Sequence, residues 1–118
     1  MPSKDPIQRF EDILENINRI EDFTAGMDLT AFVEDLKTSN ATERCLERIS
    51  EAAKKLGDAA EQFCPAIPWP QVRAIGNFLR HEYDRIDIGR IWLTIEDDLP
   101  PLKTAVQAAL KQLRASEG

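Results

Sequence analysis

The chain of 118 residues is poor in the residue types that would fix a chemistry at once: one histidine, two cysteines and one tyrosine. His81 with Cys45 and Cys64 cannot supply the four Cys/His ligands of a structural zinc site. Two cysteines also fall short of the framework that staples small secreted domains. No metal and no cofactor is expected, and both thiols read as small core residues. No apolar run approaches the ~20 residues of a spanning helix, and Met1 to Arg9 has no signal-peptide core. The expectation is a cytoplasmic chain with reduced thiols and no membrane contact. Positive charge is scarce too, with 15 Lys and Arg against 21 Asp and Glu, a net charge of −6. A general nucleic-acid binder is thereby excluded, because non-specific binding depends on cations neutralising phosphates. Any such contact must come from a local basic site or from a partner.

No segment alternates apolar and polar residues over a strand length, and there is no internal repeat or low-complexity linker. What is present is 42% hydrophobic and 31% charged residues, evenly spread. That composition suits one folded domain over residues 1–118, with a core at about 5–114 and a frayed tail beyond Arg114.

Helical periodicity runs through the chain. Ile7, Phe10, Ile13, Leu14, Ile17 and Ile20 recur at steps of three and four. Asp5 is placed to cap this helix, Pro6 suits its first position, Gln8 completes a capping box, and Ala25-Gly26 ends it. One or two turns follow at Ala31 to Leu36. A second capping box, Asn40 with Glu43, is expected to open a long helix through Leu46, Ile49, Ala53, Leu56 and Phe63, with Gly57 inside it. Pro65, Pro68 and Pro70 then forbid continuous helix and make a stiff connector. The next helix runs from about Pro70 to Tyr83 on a stripe of Val72, Ile75 and Leu79. Asp87 is expected to cap a short helix with Ile88, Ile91 and Trp92. Asp98-Leu99-Pro100-Pro101 reads as a restart before a last helix through Leu102, Val106, Ala109, Leu110 and Leu113. The fold class is all-α, an antiparallel bundle of four to five helices.

Chemistry concentrates around His81. Residues four apart share a helix face, so Arg73, Asn77 and His81 form one polar stripe, with Arg80 and Tyr83 beside it. Histidine titrates near neutrality and can take the proton of a ribose 2′-OH. Arginine forks onto phosphate oxygens, and asparagine can orient a sugar or phosphate. By residue type alone, a lone histidine among Arg, Glu and Asp is more often a solvated or ion-paired surface residue. Arg80 and Asp84, four apart, equally make a surface pair.

The run Ile67-Pro68-Trp69, then Gly76-Asn77-Phe78-Leu79-Arg80-His81-Glu82-Tyr83, then Ile86-Asp87, resembles the signature region of HEPN toxins of the HepT type. Ser50 to Leu56, and Ile91-Trp92 through Glu96-Asp97-Asp98-Leu99-Pro100, extend the resemblance to roughly residues 5–114. The resemblance implies an all-α homodimer whose motif helices meet at a cleft, where Arg and His cut RNA without metal. It implies a toxin–antitoxin pair with a small nucleotidyltransferase of the MNT type, which transfers AMP to the tyrosine two residues after the histidine, here Tyr83. Gly76 stands where the family motif usually has arginine. Arg73 and Arg80 are the candidate substitutes, and Gly76 is expected to allow close helix contact at the dimer interface. The alternative implied by that glycine is a catalytically weakened dimer that serves as a binding partner of the nucleotidyltransferase.

Overall fold

A computed structural model describes residues 5–81 and 88–117. Among the described residues there is no strand, and the chain is an all-α bundle. Its elements are α1 (Pro6–Thr24), α2 (Leu29–Glu34), α3 (Leu36–Leu56), α4 (Asp58–Phe63), α5 (Trp69–His81), α6 (Ile88–Leu93), a π turn (Thr94–Asp98) and α7 (Leu99–Glu117). The four long helices pack in the order α5, α3, α1, α7.

Cross-helix bonds show that α1 and α7, and likewise α3 and α5, run antiparallel. Glu21, late in α1, accepts from Lys103, early in α7, while Glu11 accepts from Arg114 near the far end of α7. Between α3 and α5, Arg73 reaches Ala53 and Gly57, and Gly76, further along α5, reaches back to Ser50. The α1 stripe is buried as its periodicity requires, with Phe10, Ile13, Ile17 and Ile20 fully covered. They pack with Leu46, Ile49 and Leu56 of α3 and with Leu102, Val106 and Leu110 of α7 in one core. A side chain of this size contributes roughly 1.5–3 kcal/mol on full burial, so this core outweighs any surface pairing.

The start of α1 agrees with the sequence. Asp5 accepts from the Gln8 backbone N–H at 3.1 Å, and Pro6 occupies the first turn, but the Gln8 side chain donates to Asp12 at 2.9 Å and does not complete the expected capping box. After α1, Gly26 takes φ 77°, a left-handed conformation that suits glycine.

Three further expectations are corrected. The long helix opens at Leu36, not at Asn40. Asp35 accepts both the backbone N–H and the hydroxyl of Thr38, at 3.0 and 2.8 Å, and this cap outcompetes the later Asn40/Glu43 pair. Gly57 does not sit inside a helix: with φ 55° it ends α3, and α4 starts at the next residue. The segment Asp98 to Pro101 does not restart the chain either. Leu93 and Leu99, on either side of the π turn, both keep helical angles, and the Leu99 N–H bonds the Thr94 carbonyl five residues back. A proline clashes with the carbonyl four residues before it. For Pro100 and Pro101 those carbonyls belong to Glu96 and Asp97, inside the widened π turn, which accommodates both rings without breaking the helix.

None of the described helices is long and apolar enough to cross a membrane. Tyr83, Asp84 and Asp87 lie outside the described residues.

Candidate functional site

The polar stripe is carried by α5, whose placement starts from the proline connector. Trp69 is fully buried, and its indole N–H donates to the Cys64 carbonyl at 2.9 Å, so the ring is anchored at both its apolar body and its polar edge. Pro70 sits in the first turn, where a missing N–H costs nothing. Trp69, Val72, Gly76 and Leu79, at steps of three and four, form the buried face; Ile75 is only half-buried.

Two contacts fix the height and rotation of α5 on α3. The Ser50 hydroxyl, almost fully buried, donates to the Arg73 carbonyl at 2.7 Å and accepts from the Gly76 N–H at 3.3 Å. An approach this close of one helix backbone to a side chain of another is eased by a residue without a Cβ at position 76. Gly76 therefore makes its close approach within the chain, to α3. The position where the family motif usually has arginine points into the bundle, not along the stripe of Asn77.

Arg73 is the second contact. Its guanidinium holds Glu61 of α4 with two bonds, at 2.6 and 2.9 Å, and also donates to the Gly57 carbonyl at 3.0 Å and to the Ala53 carbonyl at 3.4 Å. Ala53 is among the residues whose carbonyls have no partner within a helix that ends at Leu56, so Arg73 caps α3 from outside. The fork matches the carboxylate geometrically. The hydrogen bond from Arg73 holds the Glu61 carboxyl below its ordinary 4.5, and the same bond raises the guanidinium.

The structure thus places Arg73 at the junction of α3, α4 and α5. Asn77 lies one turn further and is exposed. The helical backbone continues through Arg80 to His81, which brings Asn77 and His81 onto one side of α5. Glu61 and Ser50 were not readable as site-related from the sequence. Glu61 is twelve residues before Arg73, and no periodicity links α4 to α5.

Cys45 and Cys64 are both buried, free thiols, as expected of core residues. Burial pushes the Cys64 thiol up to about 11, and its Sγ lies 3.5 Å from the Ala105 carbonyl. Among the described residues, no three His, Cys, Asp or Glu side chains gather closely enough to hold a metal ion.

An all-α bundle with Asn77 and His81 four positions apart on a helix entered through Pro-Trp defines a class of small helical proteins. The model of the HepT-like ribonuclease family matches residues 13–109, most of the length, and the chain belongs to that family. A probable ribonuclease HepT of Thermococcus cleftensis is 38% identical over 93 residues, covering 79% of this chain and 84% of the relative. A candidate RNase of Methanocaldococcus jannaschii is 32% identical over 117 residues, covering 99% of this chain and 97% of its own. A candidate RNase of Caldanaerobacter subterraneus is 29% identical over 109 residues, or 92% and 97% of the two chains. No solved structure matches this chain.

Proposed function

We propose that the chain is a metal-independent ribonuclease subunit of a HEPN/MNT toxin–antitoxin pair, acting as a homodimer on RNA. The observation that supports this most is the register of α5: Asn77 is exposed one turn before His81, on a helix that the Ser50 and Arg73 contacts hold in place.

In this reading the His81 imidazole removes the proton from a ribose 2′-OH. The 2′-oxygen then bonds to the adjacent phosphorus, and the bond to the 5′-oxygen breaks. His81 of a second copy, in its protonated form, gives the leaving 5′-oxygen its proton. Asn77 orients the sugar or phosphate, and an arginine offsets the charge that grows on the phosphoryl oxygens. Arg73 and Arg80 are the two candidates for that arginine. Because Arg73 is engaged by Glu61 and two carbonyls, Arg80 takes the phosphate in this proposal, and Arg73 positions the helix. Cleavage of single-stranded and transfer RNA by the wild type, Arg80→Ala and Arg73→Ala separates the roles. Loss of an electrostatic stabiliser should lower kcat by about 10²-fold in Arg80→Ala. Arg73→Ala should lower thermal stability more than kcat. The reverse order would move the phosphate role to Arg73.

Tyr83 is proposed as the residue that receives AMP from an MNT-type nucleotidyltransferase antitoxin. Its phenolic oxygen would attack the α-phosphorus of ATP and release pyrophosphate. A cognate transferase with ATP and magnesium should add one AMP to the wild type and none to Tyr83→Phe. An adduct that survives the substitution refutes the assignment.

The second reading, a binding subunit with weakened catalysis, is favoured by one observation: the position of the usual motif arginine is a buried glycine. It would be supported by tight binding of the transferase together with no cleavage of any RNA.

A further inference from the structure

The chain as a whole is acidic, yet the groove between α1 and α3 is not. It has a volume of about 480 Å³, and its described lining has six cations against four carboxylates. Three of the cations are neutralised nearby: Arg9 by Asp12 at 3.2 Å, Arg19 by Glu15 at 2.7 Å, and Arg44 by Glu47 at 3.2 Å. Arg48, Lys54 and Lys55 are exposed and make no ion pair among the described residues. Arg48 and Lys55 are seven positions apart, so they stand two turns apart on one face of α3, about 10 Å along the axis. Consecutive phosphates of an extended strand are spaced at a comparable interval or less, so both cations can serve one strand.

The floor of the groove is polar. Asn16 is 5% exposed; its amide N–H donates to the Asp12 carbonyl at 2.8 Å, while its Oδ1 has no protein partner. The Nε of Arg9 is likewise buried without a partner. A purely apolar occupant would leave both unsatisfied. The wall of the groove is continuous with the candidate site. Ser50 lines it, and the Ser50 hydroxyl is the group that binds the Arg73 carbonyl and the Gly76 N–H of α5.

We propose that this groove is a backbone-binding track for single-stranded RNA, with Arg48, Lys54 and Lys55 neutralising phosphates of the strand whose cleaved bond lies at α5. The proposal rests on the reading above that RNA is the substrate, and it answers how so acidic a chain holds a polyanion. Binding is electrostatic and carries little sequence preference, because the cations meet phosphates and not base edges.

The test uses the full chain and a fluorescein-labelled single-stranded oligoribonucleotide, followed by anisotropy over a salt series. The variant is Lys54→Gln/Lys55→Gln, matched in charge by Lys37→Gln/Lys111→Gln, two exposed positions elsewhere. All four are surface residues, and circular dichroism checks that both variants fold. Loss of two phosphate contacts should weaken binding about tenfold or more at low salt. It should also reduce the slope of log K against log salt by about 1.4, at ~0.7 per contact for single strands. The matched control should bind like the wild type. Equal losses in both variants, or none in either, overturn the proposal. So does a change in sedimentation of Lys54→Gln/Lys55→Gln alone without a change in RNA affinity, which would make the groove an interface between copies. Cleavage measured in parallel keeps the two ideas apart: groove-dependent binding without cleavage refutes the ribonuclease reading and leaves the track. Cleavage with an unchanged KM in Lys54→Gln/Lys55→Gln does the opposite.

Discussion

At the residue scale, Arg73 shows how far a side chain's type is from its use. By type and register it belongs with Asn77 and His81. By geometry its donors are occupied by one carboxylate and two carbonyls at the end of α3. Only the packing of α4 beside α5 brings Glu61 there, which is why the pair was illegible in the sequence. The pairing has a pH signature. The Glu61 carboxyl is held below 4.5, so the pair stabilises the fold above that value and the contribution is lost as pH falls through the lowered value. Glu61→Gln should therefore melt below the wild type at neutral pH, with the gap closing in acid. Melting curves across that range check this; a gap that persists unchanged in acid would mean that the carboxylate charge is not what matters.

At the element scale, the ends of helices were read with uneven success, for a physical reason. Asp5-Pro6 marks the start of α1 without competition, and the structure agrees. Asp35 and Asn40 both offered a start for α3. Asp35 prevails because Thr38 gives it two donors, whereas Asn40 then lies within regular helix. The π turn before α7 was unreadable because prolines near a helix start and prolines after a widened turn look the same in sequence. Gly76 is the element-scale feature with the widest consequence. It faces Ser50 on α3, so Gly76→Arg, which restores the usual motif residue, should not raise cleavage. It should cost about 1–3 kcal/mol by overfilling the α3–α5 contact. Denaturant unfolding checks the cost. A stable Gly76→Arg variant with increased cleavage would show that position 76 can serve the site after all.

At the scale of the molecule, the all-α architecture was legible from periodicity alone, and the family from the stretch around Asn77 and His81. The path of α5 was legible only in part. Pro68 and Pro70 forecast its start, but its rotation is set by Ser50 and Arg73, and rotation decides which residues share a face with His81. The groove between α1 and α3 was invisible, since it joins residues of two helices that lie far apart in the sequence.

In the proposed reading, His81 on α5 performs 2′-OH chemistry on RNA without a metal. The most direct test of this reading is end-group analysis of RNA cut in the presence of EDTA by the wild type and by His81→Ala. The expected result is 2′,3′-cyclic phosphate and 5′-hydroxyl ends from the wild type, and a rate at least about 10²-fold lower from a folded His81→Ala. Ends carrying 3′-hydroxyl and 5′-phosphate, or equal cleavage by both proteins, would contradict it.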